Sequence, residues 1–442
     1  MLSITRKYEL VGGVEMAEMA GGADAKAAST ADAADTRANA MKAAGATKTA
    51  DVRDGAALAL GLVIVVIGST MPSGLYALYQ HDWGLSANKT VVVFACYAVG
   101  VVVTLTYGHL SDSLGRKPIA LVSMALSLAS TLMFLAAGLV DSHEMVLYAA
   151  RVISGFSVGL ATGSFTALLQ EKLLTHIGAL TSTVAVSGAL ALGPLYSAVV
   201  AQFSSSPLQM PYWIYAALTV VSMVGVARVR ERSCERNSVS WRPQFGVARD
   251  VIRVFIPGAL AIGCAYGVNG LFQSVVPLAA KDMGFDTQLK IASITALMLG
   301  VSAVTQVMLG RRAQRVSYPV GLVILALGLG GATVSLLSSN AVLLIIATVI
   351  CGVGQGISFK YSLLRVSEAA RGKDLAATVS SYYIVGYVGT AVGPLAAGLS
   401  GGSSAVVGIV CIAFAVLSVA VAVAGSRQAA KATAATETTA AT

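Results

Sequence analysis

The sequence predicts an all-α membrane protein with twelve transmembrane helices in two six-helix halves. Three observations predict it. Of its 442 residues, 56% are hydrophobic and 12% charged, with a mean hydropathy of +0.76. That much apolar surface exceeds what one soluble core can hide, whereas a bilayer solvates it. Twelve apolar stretches follow one another, each long enough for a hydrocarbon core of about 30 Å, which takes about 20 residues of helix. The pattern then repeats itself after about 200 residues, as Gly193-Pro194 and Gly393-Pro394 illustrate.

The stretches cover roughly 55–80, 90–110, 117–140, 145–170, 177–202, 211–229, 251–279, 289–310, 318–338, 341–361, 374–399 and 403–425. They are rich in Ala, Val, Gly and Ser, which lets helices pack closely in lipid. Alternation of polar and apolar residues, the mark of a membrane barrel, is missing from them. The expected organisation is a disordered cytoplasmic tail over 1–54, a first half over 55–229 and a basic linker over 230–250. A second half over 251–425 and a disordered tail over 426–442 follow. The first tail is Ala-rich and has no secretory apolar core. Met16, Met19 and Met41 offer alternative starts within it.

Charge sets the expected orientation. With both termini in the cytoplasm, the cytoplasmic loops hold seventeen basic residues, among them Arg116, Lys117, Lys172, Arg311, Arg312, Arg365 and the Arg-rich run 228–253. The outer loops hold Lys89, Lys281 and Lys290. This is the positive-inside pattern, so the net charge of +9 reads as topology and not as a nucleic-acid surface. Tyr76, Tyr79, Trp83, Tyr212, Trp213 and Tyr215 suit an aromatic belt at the outer interface. The five cysteines, four in spans and Cys234 in a loop, are expected to be free thiols. His81, His109, His143 and His176 are scattered, so neither a metal site nor another cofactor is expected, and the chain does not read as an enzyme. The lack of a phosphate-binding Gly-Lys-Ser/Thr loop argues against ATP-driven pumping.

Two matching turns mark the repeat. His81-Asp82-Trp83-Gly84-Leu85-Ser86 precedes span 2, and Lys281-Asp282-Met283-Gly284-Phe285-Asp286 precedes span 8. Ser86 and Asp286 are the expected caps of the helices that follow.

Between spans 2 and 3 lies a short polar turn, Gly108-His109-Leu110-Ser111-Asp112-Ser113-Leu114-Gly115-Arg116-Lys117-Pro118. Its Gly-x-x-x-Asp-x-x-Gly-Arg-Lys pattern resembles the loop signature of the major facilitator superfamily. The resemblance implies tight turns at Gly108 and Gly115, cation pairing by Asp112, and a basic pair, Arg116 and Lys117, held at the cytoplasmic face. In span 4, Leu147, Arg151, Gly155 and Gly159 resemble a pattern of the superfamily's proton-coupled exporters, in which the Arg is linked to proton transfer. An arginine inside a span costs about 3 kcal/mol by insertion scales. Arg151 is therefore a proton-coupling candidate, with outward snorkelling as the alternative. Gly193-Pro194 in span 5 and Gly393-Pro394 in span 11 resemble the antiporter Gly-Pro segment and are expected to kink their helices and take part in gating. The resemblance covers about residues 55–425 and implies alternating access around a site between the halves, working as a monomer in a bacterial inner membrane.

Helical spacing proposes that site. Tyr266, Asn269, Gln273 and Pro277 share a face of span 7. Met71-Pro72-Ser73-Gly74 breaks span 1 beside Tyr76. Tyr383 and Tyr387 share a face of span 11, and Gln355 and Phe359 an i,i+4 position of span 10. Tyr76, Tyr266, Asn269, Gln273, Gln355, Phe359, Tyr383 and Tyr387 are the substrate-binding candidates. They suit a mostly neutral, amphipathic organic molecule, since spans 1, 2, 5, 7, 8 and 11 carry no Asp or Glu in their central parts. Export of a small organic compound driven by proton influx is the expected activity. Proton-coupled import of an organic or amino acid, or a sensor that retains the fold, are the alternatives.

Overall fold

The computed structural model describes residues 51–107, 114–140, 143–173, 175–230, 246–309, 317–370, 374–400 and 403–440. Among them twelve helices are long and apolar enough to cross a membrane. They are α1 (Asp51–Asp82), α2 (Ala87–Thr106), α3 (Arg116–Ala137), α4 (His143–Lys172), α5 (Thr175–Gln202) and α6 (Met210–Ala227). The second set is α7 (Ile252–Ser274), α8 (Gln288–Met308), α9 (Tyr318–Ser338), α10 (Ala341–Ala369), α11 (Asp374–Leu399) and α12 (Ser404–Ala440). The chain is an integral membrane protein. The described residues from Ala56 onward belong to one compact unit.

The helices pair in the same way in each half. Small residues decide the closest approaches, because a missing Cβ lets backbones meet. On α2 and α4, Gly100 lies against Gly155, and a Cβ on Gly159 would strike Thr104. The equivalent pair, α8 and α10, meets at Gly352 on Met298 and Gly356 on Ser302. On α5 and α1, Gly193 abuts Thr70, and Ser197 Oγ donates to Met71 O at 2.7 Å. The equivalent pair, α11 and α7, meets at Gly389 on Gly263 and at Pro394 on Gly270. Between the halves, Gly398 on α11 packs on Val91 of α2. At the same end, the Gln288 amide of α8 reaches α1, its nitrogen 2.9 Å from Gly74 O when the amide is oriented to satisfy both of its ends.

Local chemistry explains the breaks. Pro72 cannot donate a backbone hydrogen bond, and α1 tightens into a 3₁₀ turn over Met71–Leu75. Gly84 and Gly284 take φ values of +62° and +89°, the left-handed region that favours glycine, so the two turns of the repeat have matching backbones. Ser86 caps α2 as expected. For α8 the cap is Thr287 and not Asp286. Asp286 is instead bonded to Lys290 Nζ at 2.7 Å, which holds its carboxyl below the usual range.

Two other expectations change. The aromatic belt is mostly core: Tyr76, Tyr79, Tyr212 and Tyr215 are fully buried, whereas Trp213 is exposed. Their hydroxyls find partners inside the bundle, Tyr79 with Tyr212 and Tyr215 with Ile64 O at 2.9 Å, which removes the need for water at the interface. The final helix also continues to Ala440, past the apolar stretch that ends near Arg427, over an Ala-rich segment with high helix propensity. Cys264, Cys351 and Cys411 are buried, Cys96 is half-buried, and all four are free.

Candidate functional site

The site is built around Arg151. Leu147, Ala150, Arg151 and Ser154 lie on the buried face of α4, so helical spacing directs the guanidinium into the bundle. Arg151 is 1% exposed and does not snorkel. Its Nη1 donates to Ser69 O and its Nη2 to the Tyr76 hydroxyl, each at 2.5 Å. Both acceptors are on α1. The carbonyl of Ser69 is on the last turn before the Pro72 break. The guanidinium carbon also sits over three rings, 5.8 Å from the Tyr76 and Phe94 centroids and 5.5 Å from that of Tyr97. Ring faces attract a cation, more so when water is excluded.

A cavity of about 40 Å³ opens beside it. From the first half, Ser69, Thr70, Phe94, Tyr97, Arg151 and Leu190 line it. From the second half come Tyr266, Asn269, Gln273, Tyr387 and Thr390. The halves touch here through aromatic rings: Tyr97 meets Tyr387 edge-on at 6.1 Å, and Tyr387 meets Tyr266 at 5.5 Å. Each half thus supplies one kind of chemistry, a cation from the first and two amides from the second.

A model of the Major Facilitator Superfamily matches residues 58–394 and 258–441. The chain belongs to that superfamily. Two relatives carry the name multidrug transporter MdfA. The protein of Escherichia coli O6:H1 is 26% identical over 206 residues, 45% of this chain and 48% of its own length. That of Yersinia pestis (strain Angola) is 32% identical over 183 residues, 39% of this chain and 42% of its own. The matched segment therefore spans less than half the length of each relative.

Within this superfamily member, the expected binding residues separate into groups. Tyr266, Asn269, Gln273 and Tyr387 line the cavity, and Tyr76 holds Arg151 at its edge. Phe359 and Tyr383 do not line it. They extend the aromatic row away from it, Phe359 lying 5.6 Å from Tyr266 and 6.2 Å from Tyr383. Gln355 lies elsewhere: it accepts from Ser302 Oγ, which also receives Gln306 Nε2 at 3.0 Å, so it joins α10 to α8. Pro277 sits in a separate short helix, Val276–Ala279, beyond the end of α7.

The gating candidates are placed as follows. Gly108 and Asp112 lie outside the described residues. Gly115 takes a φ of +98° immediately before α3. Arg116 pairs with Glu171 at the end of α4, and Lys117 Nζ donates to Val229 O beyond α6 at 2.8 Å. The basic pair thus ties three helices of the first half together at one end. Gly193 and Pro194 pack α5 on α1, and Gly393 and Pro394 pack α11 on α7 and, through Phe414, on α12.

The sequence reading missed Ser69, Thr70, Phe94, Tyr97, Leu190 and Thr390. One signal was present: Phe94 and Tyr97 are an i,i+3 aromatic pair on a span whose neighbour carries an intramembrane arginine.

Proposed function

We propose that the protein is a secondary transporter that exports a small amphipathic organic compound by alternating access, with the cavity at Arg151 as its substrate site. One observation carries this reading. The cavity takes its lining from both halves, so a change in their relative position alters every wall of it at once. Broken helices beside a central cavity are a common transporter device, and α1 breaks at Met71–Leu75 next to Ser69 and Thr70. The relatives named as multidrug transporters favour a drug-like compound over a sugar.

In this mechanism Arg151 is the coupling residue. Its grip on Ser69 O and Tyr76 joins α4 to the break in α1. A proton, or the substrate itself, would act by changing what the guanidinium holds. The signature loop acts as a cytoplasmic latch, with Gly108 and Asp112 assigned by resemblance and Gly115, Arg116 and Lys117 by resemblance and geometry. The protein acts as a monomer in a bacterial inner membrane, with both termini in the cytoplasm.

The test compares small molecules inside and outside cells that make the wild type or Arg151→Ala at matched membrane levels. Compounds enriched in the medium with the wild type alone support export. Depletion from the medium with internal accumulation reverses the direction. Identical profiles contradict a role for Arg151 in transport.

A further inference from the structure

We propose that the substrate is an organic anion: an aromatic monocarboxylate with a hydroxyl or N–H donor, bound with its carboxylate on Arg151 and its donor on Asn269. This rests on the cavity being the substrate site.

The charge of the site is the first observation. The guanidinium is a fixed positive charge, and Arg151 is 1% exposed. Its partners are all neutral: one carbonyl, one phenol and three ring faces. Among the described residues, every Asp and Glu lies at a helix end or in a loop. A buried charge without a counter-ion is costly, and a ligand anion lowers that cost where the protein supplies none.

The unused hydrogen-bonding groups are the second. Nη1 and Nη2 each have a partner, but Arg151 Nε is buried with none. Nε–H and the second hydrogen of a neighbouring Nη form the side-on fork that a carboxylate accepts in two bonds. Asn269, 7% exposed on the facing helix, has a buried Oδ1 that is also without a partner. That oxygen accepts only, so it calls for a donor on the ligand. Arg151 and Asn269 both line one cavity, and each carries an unsatisfied buried atom of opposite polarity, one asking for an acceptor and the other for a donor.

The walls between them are the third. Phe94, Tyr97, Tyr266 and Tyr387 give a flat apolar body ring faces and edges to pack on. As it stands, about 40 Å³ holds roughly three waters. Entry of such a ligand therefore requires Tyr97 and Tyr387 to part, which couples binding to separation of the halves. An anion leaving a compartment that is negative inside also moves down the membrane potential, so export of this class needs no central carboxylate.

The test is calorimetric titration of the purified protein with three probes of one shape: 4-hydroxybenzoate, the neutral 4-hydroxybenzamide and the cation 4-(aminomethyl)phenol. Uptake of each into proteoliposomes is measured alongside. The wild type is expected to bind the anion at least about tenfold tighter than the amide, the loss of one charge-assisted pair, and to move it fastest. Arg151→Gln should erase that preference. Because Arg151→Gln can fail to fold, Asn269→Asp is the second variant. It keeps the side chain's shape, disturbs no hydrogen bond of Oδ1, and adds a negative charge to the cavity that Arg151 also lines. It should reverse the order, with the amine tightest. Equal affinities, or a preference for the amide or amine in the wild type, overturn the anion assignment. Where those compounds are still transported and Asn269→Asp alters their affinity, the cavity remains the substrate site. Where no probe is moved and neither variant changes any affinity, the anion proposal and the cavity reading fall together.

Discussion

Arg151 on α4 donates to the hydroxyl of Tyr76 on α1 at 2.5 Å, with both side chains 1% exposed. Tyr76 lies just past the 3₁₀ turn at Met71–Leu75, and Ser69, the second acceptor, lies just before it. One guanidinium therefore spans the break in α1 from both sides. A lysine carries the same charge as a point and lacks the planar fork.

Arg151→Lys should accordingly keep the protein in the membrane while transport falls at least tenfold. Tyr76→Phe removes one acceptor of a charge-assisted bond and should lower stability by about 1.5–3 kcal/mol. Thermal unfolding in detergent checks the second value, and initial rates in vesicles check the first. Equal rates for wild type and Arg151→Lys would show that the bridge across the break has no part in transport.

Close packing of α2 on α4 supplies a second prediction. A Cβ at Gly100 would lie 2.7 Å from Phe156 N and crowd Val152 O, whereas one at Gly188 meets nothing within 4 Å. Gly100→Ala should cost about 1–3 kcal/mol, the usual penalty for overpacking. Gly188→Ala should be neutral or gain about 0.5–1 kcal/mol from lower backbone entropy. Melting temperatures of the two variants, measured side by side, decide it.

The pair of Arg116 with Glu171 gives a third. Arg116 and Glu171 are about 29% and 28% exposed, so their pair contributes no more than about 1 kcal/mol to stability. Its effect should appear in transport. Arg116→Glu and Glu171→Arg should each slow it, and the double variant should recover at least half of the loss. Gly115→Ala, at a φ of +98° and a ψ of 137°, should cost about 1–3 kcal/mol. A double variant no faster than either single one contradicts a role for the pair.

Aromatic contact between the halves gives a fourth. Tyr97 and Tyr387 meet at 6.1 Å where the cavity must open. Tyr387→Ala should widen it and raise the KM for a flat substrate about tenfold, equivalent to about 1.4 kcal/mol of lost packing. Steady-state uptake over a range of concentrations separates that effect from one on kcat.

Much of this was legible in the sequence, for reasons visible at particular residues. Length and apolarity reveal a span because lipid demands both. The turns at Gly84 and Gly284 were legible because glycine is the residue that takes their backbone freely. Spacing identified the cavity face of α7, since Tyr266, Asn269 and Gln273 remain on one side of a helix whatever packs against it. Spacing does not say which neighbour a face meets. Gln355 looked like the amides of α7, yet its face meets Ser302 on α8. Tyr79, Tyr212 and Tyr215 looked like interface residues because burial of a tyrosine depends on finding a partner for its hydroxyl, and those partners are distant in sequence. The direction of Arg151 was undecided for the same reason: its acceptors lie 82 and 75 residues earlier in the chain.

Alternating access requires the contact between Val91 on α2 and Gly398 on α11 to open and close. The most direct measurement introduces Val91→Cys and Gly398→Cys into protein lacking its native cysteines and follows transport in vesicles before and after oxidation. The account predicts normal transport when reduced, loss on oxidation, and recovery after a reductant. Undiminished transport by fully cross-linked protein would contradict it.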